Sequence, residues 1–573
     1  MTTRSLLLTL LAASLSACAQ SQVVAQPQSP AASPQQAGKV EGESRLTPQL
    51  MYQFLLGEIA GQRGELALSA EAYADLAART RDARVARRAT EVALYARQHK
   101  LALRNALLWQ ELEPDSQKAR QTLASLLVGS GRLADAKPHL ESWLKTGKPE
   151  QVFLQLHSLL SRQADKQAVA SLVADLAAAY PALPEARFAL AQADWAAGQG
   201  GKALDVLEQA MQLRPGWEMA ALFKAQILQQ KDGDAAAIEY MGGFLQRHPK
   251  ANEVRMAHAK QLARAGRLDE SRAAFAVLAR DMPDDPEPHF ALGLVAMQAN
   301  DLDQARASFL KALELGYAEE GAVHYSLGQI AEAKGEYDAA IKSYQAVGGR
   351  QHFEASLRVA MVMAKAARLP EARAWLARMA EGEAAGSEEA LARIAQTEAQ
   401  LLRDAKIHSE AYAVLGKVLE RYPDNLELLY DHAMAAERLD RLDVLERDLR
   451  RMIELKPDYA HAYNALGYTL ADRTTRLKEA VELLEKAINL APDDPFIQDS
   501  MGWALFKQKR YDEAVGFLRR AYAARPDPDI AAHLGEVLWV KGERDEARRI
   551  WQSGLKDHPD HESLRETLSR LTH

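Results

Sequence analysis

The sequence predicts an all-α fold, a right-handed α-solenoid superhelix of about fifteen helix–turn–helix repeats with a C-terminal capping helix. Two observations predict it. Ala, Leu, Glu, Arg and Gln dominate the 573 residues while β-branched and aromatic residues are sparse, a composition of helix formers. Pro181, Pro215, Pro249 and Pro283 fall 34 residues apart, as do Pro423 and Pro457. No coiled coil or helix bundle places proline at that interval.

The N-terminus reads as an export signal over residues 1–17, with Arg4 as its positive end and Leu6 to Leu15 as a short apolar stretch. Ten residues make a helix about half as long as the bilayer hydrocarbon is thick, so the stretch does not span a membrane. It ends in Leu15-Ser16-Ala17-Cys18, and Cys18 is the one cysteine of the chain. That tetrapeptide resembles the bacterial lipobox. The resemblance implies cleavage before Cys18, acylation of its thiol and new amine, and, with Ala19 rather than Asp next, an outer-membrane location. Several acyl chains on one residue anchor stably, at about 0.8 kcal/mol per buried methylene. Residues 18–46 are rich in Gln, Ala, Ser and Pro, cannot offset their ordering entropy by burial, and form a tether with a reach of roughly 30 Å.

Thr47-Pro48 is an N-cap followed by proline in the first helical turn, and Leu50, Met51, Phe54 and Leu55 share one face of the helix it opens. From there one pattern recurs: Leu292-Gly293 with Ala305 and Phe309, Leu327-Gly328 with Ala340 and Tyr344, Leu466-Gly467 with Ala480 and Leu484. Met501-Gly502 with Ala514 and Leu518, and Leu534-Gly535 with Ala547 and Trp551, continue it. Small residues let paired helices approach, a bulky one fills the groove, and proline ends the second helix. This resembles the tetratricopeptide repeat. Ordering one such unit costs roughly 50 kcal/mol and a lone hairpin cannot bury enough apolar surface to offset it, so units must stack. The copies at 83–116, 117–149, 150–183 and 353–391 lack some markers. Leu564, Leu568 and Leu571 give the last segment the single apolar face of a capping helix. Residues 47–380 and 381–573 are taken as N- and C-terminal repeat segments. Residues 347–350 and 381–387 interrupt the pattern, either as loose loops or as a hinge, and Gly242-Gly243 inside a second helix suggests close packing or a kink.

The charge is finely mixed, with a net of −7 and a pI near 6.2, so no basic footprint for nucleic acid is present. No phosphate loop, dinucleotide fingerprint, zinc-binding helix motif or nucleophile elbow occurs. Gly129-Ser130-Gly131 reads as a helix–helix turn, and His558 and His561 as an exposed turn rather than a metal site. No catalytic residue, metal or cofactor is assigned. A solenoid does offer a long surface lined by the first helix of each unit. In the C-terminal copies Asn464 and Tyr468, Asp499 and Trp503, and Glu536 and Trp539 fall at matched places and combine polar groups with aromatic surface, as an extended peptide requires. The aromatics could equally pack between helices. Lys507, Lys509 and Arg510 read as a solvated turn.

The run Ala462 to Thr474, with Asp499 to Trp503 and His533 to Trp539, is similar to the C-terminal end of tetratricopeptide lipoproteins of Gram-negative outer membranes. The lipobox, length and uninterrupted array resemble the LbcA-type adaptors of periplasmic carboxyl-terminal-processing proteases. That resemblance implies a non-catalytic, membrane-tethered scaffold that holds the protease and presents substrates such as peptidoglycan hydrolases. The alternative is a scaffold lipoprotein of an exopolysaccharide-export or pilus and secretion assembly. An enzyme would need a separate catalytic domain, and no stretch of a hundred residues escapes the repeat.

Overall fold

A computed structural model describes residues 47–382 and 384–572. The lipobox residues Leu15, Ser16 and Ala17, the anchor Cys18 and the tether 18–46 lie outside the described residues. Among those described there are 31 α-helices and no strand. Thirty form fifteen consecutive antiparallel pairs, from Pro48–Gln62 with Leu66–Thr80 to Pro528–Lys541 with Arg544–Asp557, and Glu562–Thr572 closes the chain.

Local sequence sets each boundary. Thr47 Oγ1 accepts the Leu50 N–H at 3.2 Å and Pro48 opens the first helix as expected. Asp285, Asn425, Asp494 and Asp527 cap later first helices in the same way. In eleven of the fifteen pairs three residues make the turn and the middle one is left-handed, as at Gly64, Gly335 and Lys509 (φ 80°, 72° and 64°). Glycine does this without strain, whereas Lys509 carries the Cβ penalty. After eleven of the fifteen second helices proline follows within two or three residues and prevents continuation, as Pro215 follows Leu213 and Pro492 follows Leu490.

Packing depends on one repeated approach. A Cβ placed on Gly57, Gly293, Gly328 or Gly502 would lie 2.5–2.9 Å from the side chain 16 residues on, respectively Tyr73, Phe309, Tyr344 and Leu518. Gly535 meets Trp551 more closely still. Gly467 meets Leu484 at 2.7 Å, one residue later in sequence because helix Ala460–Arg473 is one residue longer than Pro495–Lys507. In each case the second helix lays a ring or a leucine directly on the backbone of the first. The weakly marked copies are helix pairs too: 83–95 with 99–112, 117–129 with 133–146, 149–160 with 166–178, and 352–365 with 369–381. Three of them place Thr90, Ala124 and Ala360 where the marked copies have glycine, sixteen residues before Ala106, Leu140 and Leu376, and all six are buried.

The chain divides into two compact units. The first, ending at Tyr317, contains eight pairs, and the second, beginning at Ala318, contains seven pairs and the closing helix. In the second unit Leu564 is fully buried, while Leu568 and Leu571 pack against the core and Arg565, Glu566, Ser569 and Arg570 are exposed. Both interruptions lie inside this unit. Helix Tyr337–Gln345 has only 9 residues, and a 3-10 turn at Gly349–Gln351 leads into His352–Lys365. After Glu381 the chain buries Ala384 in the core, Ser387 caps the next helix, and that helix, Glu388–Asp404, runs to 17 residues. The expected close packing at Gly242-Gly243 is not found. Helix Asp234–Arg247 runs through both, a Cβ on Gly242 would make ordinary contact with His258 at 3.6 Å, and one on Gly243 would meet nothing.

Gly535→Ala is expected to destabilise the second unit by about 1–3 kcal/mol through overpacking against Trp551. Gly516→Ala, where a Cβ would make only ordinary contact with the Arg520 side chain at 3.9 Å, should be neutral or stabilising by up to about 1 kcal/mol. Urea unfolding of the two variants checks both.

Candidate functional site

Stacking by repeat puts the first helices of the last three pairs side by side: Ala460–Arg473 against Pro495–Lys507, and that against Pro528–Lys541. Residues four apart on each helix share a face. Asn464, Tyr468 and Asp472 therefore line one helix, Asp499, Trp503 and Lys507 the next, and His533 the third.

Three of these residues, Asp499, Trp503 and Tyr468, converge on His533. Its Nδ1 lies 2.9 and 3.1 Å from the two carboxylate oxygens of Asp499, one repeat away at 34 residues. Its ring stacks on Trp503 with centroids 4.2 Å apart, and the Tyr468 ring lies 6.2 Å away. Trp503 Nε1 donates to Asp472 Oδ1 at 3.0 Å, and Lys507 Nζ sits 3.2 Å from the same oxygen and 5.0 Å from the Trp503 ring. Burial alone would lower the His533 pKa, but Asp499, with Asp529 and Glu536 nearby, outweighs it and raises the value. Burial would raise the Asp472 carboxyl, yet the Trp503 N–H and Lys507 hold it below its ordinary value. Burial, reinforced by Asp472 and Asp499, raises the Tyr468 hydroxyl. The result is a half-buried aromatic and ionic row that can accept and donate hydrogen bonds and offer ring faces. One turn before Tyr468, the buried Asn464 Oδ1 has no hydrogen-bond partner among the described residues.

The other two sequence candidates serve a different end. Glu536 accepts from Arg570 Nη2 at 2.6 Å and so ties the closing helix to the array. Trp539 packs 5.7 Å from Trp551, with Arg544 and Arg548 over its ring at 5.1 and 5.2 Å. Asn464, Tyr468, Asp499 and Trp503 thus share one neighbourhood, and Glu536 and Trp539 belong to the packing of the C-terminal end. His533, Asp472 and the participation of Lys507 escape a reading by matched positions. His533 stands two residues before Gly535, whereas Asn464 and Asp499 stand three before Gly467 and Gly502. The available signal was the 34-residue interval between Asp499 and His533. Among the described residues no group of three His, Cys, Asp or Glu could hold a metal, and no helix is long and apolar enough to cross a membrane.

Stacked 34-residue hairpins presenting a polar and aromatic face define an α-solenoid scaffold of the protein-binding kind. The tetratricopeptide-repeat family matches residues 290–350, 460–494 and 505–571. The TPR repeat-containing protein PA4667 of Pseudomonas aeruginosa is 34% identical over 525 residues, covering 91% of this chain and 88% of that one. The chain belongs to the tetratricopeptide-repeat proteins. Protein O-mannosyl-transferase Tmtc1 of Drosophila melanogaster is 36% identical over 78 residues, 14% of this chain and 9% of that protein. Among solved structures, a tetratricopeptide repeat protein from Parabacteroides merdae aligns with 44% of this chain and 99% of its own, at 14% identity and a TM-score of 0.36. A thermophilic TPR protein of Thermus thermophilus covers 33% of this chain and 100% of its own, at 21% identity and a TM-score of 0.29.

A raised histidine pKa fixes the sign of a pH effect. The contribution of charged His533 is complete below its ordinary value of 6.5 and is lost as pH rises through the raised folded value. The second unit should therefore lose stability as pH rises above about 6.5, and His533→Asn should flatten that slope. His139, His157, His258 and His289 have values lowered chiefly by burial and work in the opposite sense, so the readout is the difference between the native and variant melting profiles. Identical slopes would contradict the assignment.

Proposed function

We propose that this protein is an outer-membrane lipoprotein that catalyses nothing itself and works as an adaptor. It tethers a periplasmic carboxyl-terminal-processing protease and presents to it substrates such as peptidoglycan hydrolases. The observation that carries the binding part of this reading is the row at His533. Asn464 leaves a buried acceptor unpartnered one turn from Tyr468, beside a stacked Trp503–His533 pair. A buried acceptor without a partner costs about 1–3 kcal/mol, and the backbone N–H of an extended peptide would satisfy it. The anchoring part rests on Leu15-Ser16-Ala17-Cys18 and the tether that follows, and the protease on the resemblance to LbcA-type adaptors.

The mechanism is local concentration. A protease and its substrate held on one scaffold meet at roughly millimolar effective concentration instead of by free diffusion. The anchor restricts that encounter to the membrane surface, and a reach of roughly 30 Å sets how far the scaffold stands from it.

Cys18→Ser should release the protein from the membrane fraction while a crosslinked pull-down still recovers the protease. Loss of the protease from the soluble variant would contradict the model, as would recovery of a porin or secretin in its place. Trp503→Ala should weaken peptide capture about tenfold or more, with the circular dichroism of the array unchanged. Unchanged capture by Trp503→Ala would move the site elsewhere on the scaffold.

A further inference from the structure

Eight of the seventeen exposed large apolar side chains among the described residues lie between Met51 and Tyr95. Helix Pro48–Gln62 buries only Gly57 and Ala60 and leaves Met51, Tyr52, Phe54, Leu55 and Ile59 exposed. Two helices on, Leu94 and Tyr95 end the helix Ala83–Tyr95 exposed, Tyr95 at 75%. Between the two helices lies an open cavity of about 450 Å3 lined by Glu58, Gln62, Arg88, Val92 and Tyr95, the last of which belongs to this exposed apolar patch.

The charge beside this patch is distinctive. Residues 79–104 carry eight Arg or Lys against two acidic residues, a net of +6 in a chain whose total is −7. Arg84, Arg87 and Arg88 pair with Asp82, Glu91 and Glu58. Arg63 and Arg97, in the two turns that flank the patch, and Lys100 and Arg104 just beyond are exposed and have no ion-pair partner among the described residues.

We propose that this N-terminal edge of the first unit rests on a membrane surface rich in anionic phospholipid headgroups. Exposed aliphatic and tyrosine side chains beside unpaired cations are what an interfacial contact requires, the apolar groups entering the headgroup boundary and the cations meeting phosphate. The placement favours lipid over an acidic protein surface. The patch begins at the residue where the tether from Cys18 joins the fold, which holds it next to the bilayer, so the inference rests on the proposed acylation of Cys18. The anchor and the patch together would fix one end of the scaffold against the membrane.

The test uses the chain beginning at position 18 and carrying Cys18→Ser, so that no acyl group takes part. Its sedimentation is measured with vesicles of phosphatidylcholine alone and of phosphatidylcholine mixed with phosphatidylglycerol. Binding should be confined to the phosphatidylglycerol vesicles and fall with added salt. It should weaken about tenfold or more in Arg97→Glu/Lys100→Glu/Arg104→Glu, and also in Tyr95→Ser, but not in Arg565→Glu of the closing helix. Equal binding to both vesicles, or full binding by the triple variant, overturns the proposal. So does binding to neither vesicle with the patch instead protected from hydrogen exchange by a bound protein. Acylation of Cys18 is read separately from the mass of the N-terminal peptide, so either claim can fail without the other.

Discussion

The close approach of two helices at a bare backbone is the constraint on which the rest of the array depends. Where Gly293, Gly328, Gly502 or Gly535 faces the partner helix, the partner's Phe309, Tyr344, Leu518 or Trp551 lies where a Cβ would be. That contact fixes the spacing within a pair and buries a large side chain completely or nearly so, worth about 1.5–3 kcal/mol for each aliphatic or aromatic group. With the pair fixed, the next pair can only dock on the faces left over, and a 34-residue register follows from one local fit. A glycine in mid-helix costs about 1 kcal/mol in propensity, and the array recovers it through packing density.

Periodicity also builds the candidate site. Residues one repeat apart arrive side by side, so a carboxylate at 499 finds a histidine at 533 and a carboxylate at 536 finds an arginine at 570. The same geometry runs through the exposed ion pairs of the second unit, such as Arg368–Asp338, Arg393–Glu354 and Arg473–Asp440. Exposed pairs of this kind contribute little each, about 0–1 kcal/mol, and their main effect is on register between neighbours. The His533 row differs because its groups are withdrawn from water, where charge and hydrogen bonding are stronger and an unpaired acceptor such as Asn464 Oδ1 is costly.

The fold was legible in the sequence because its determinants are local and repeated. Proline after the second helix, Thr47-Pro48 before the first, and a small residue followed by a bulky one are all visible without knowledge of distant contacts. The weakly marked copies show the physical slack in that code, since Thr90 or Ala124 can stand in the buried position when its partner, Ala106 or Leu140, adjusts. Gly242-Gly243 misleads for the converse reason: a glycine pair implies close approach only if something lies opposite, and in helix Asp234–Arg247 little does. The site was half legible. Asn464, Tyr468, Asp499 and Trp503 were found by matched position, but the histidine that gathers them is displaced by one residue from that register. Trp539 and Glu536 match the register and are used for the closing helix, which only the three-dimensional contacts of Trp551 and Arg570 reveal.

A double-mutant cycle between Gly502 and Leu518 tests the central constraint most directly. If the leucine occupies the space of the missing Cβ, Gly502→Ala should destabilise the native chain by about 1–3 kcal/mol and cost clearly less in a Leu518→Ala background, where only the Ala514 carbonyl at 3.2 Å still crowds the added methyl. Equal costs of Gly502→Ala in both backgrounds would mean that the two side-chain positions do not compete for the same space, and the packing rule would fail.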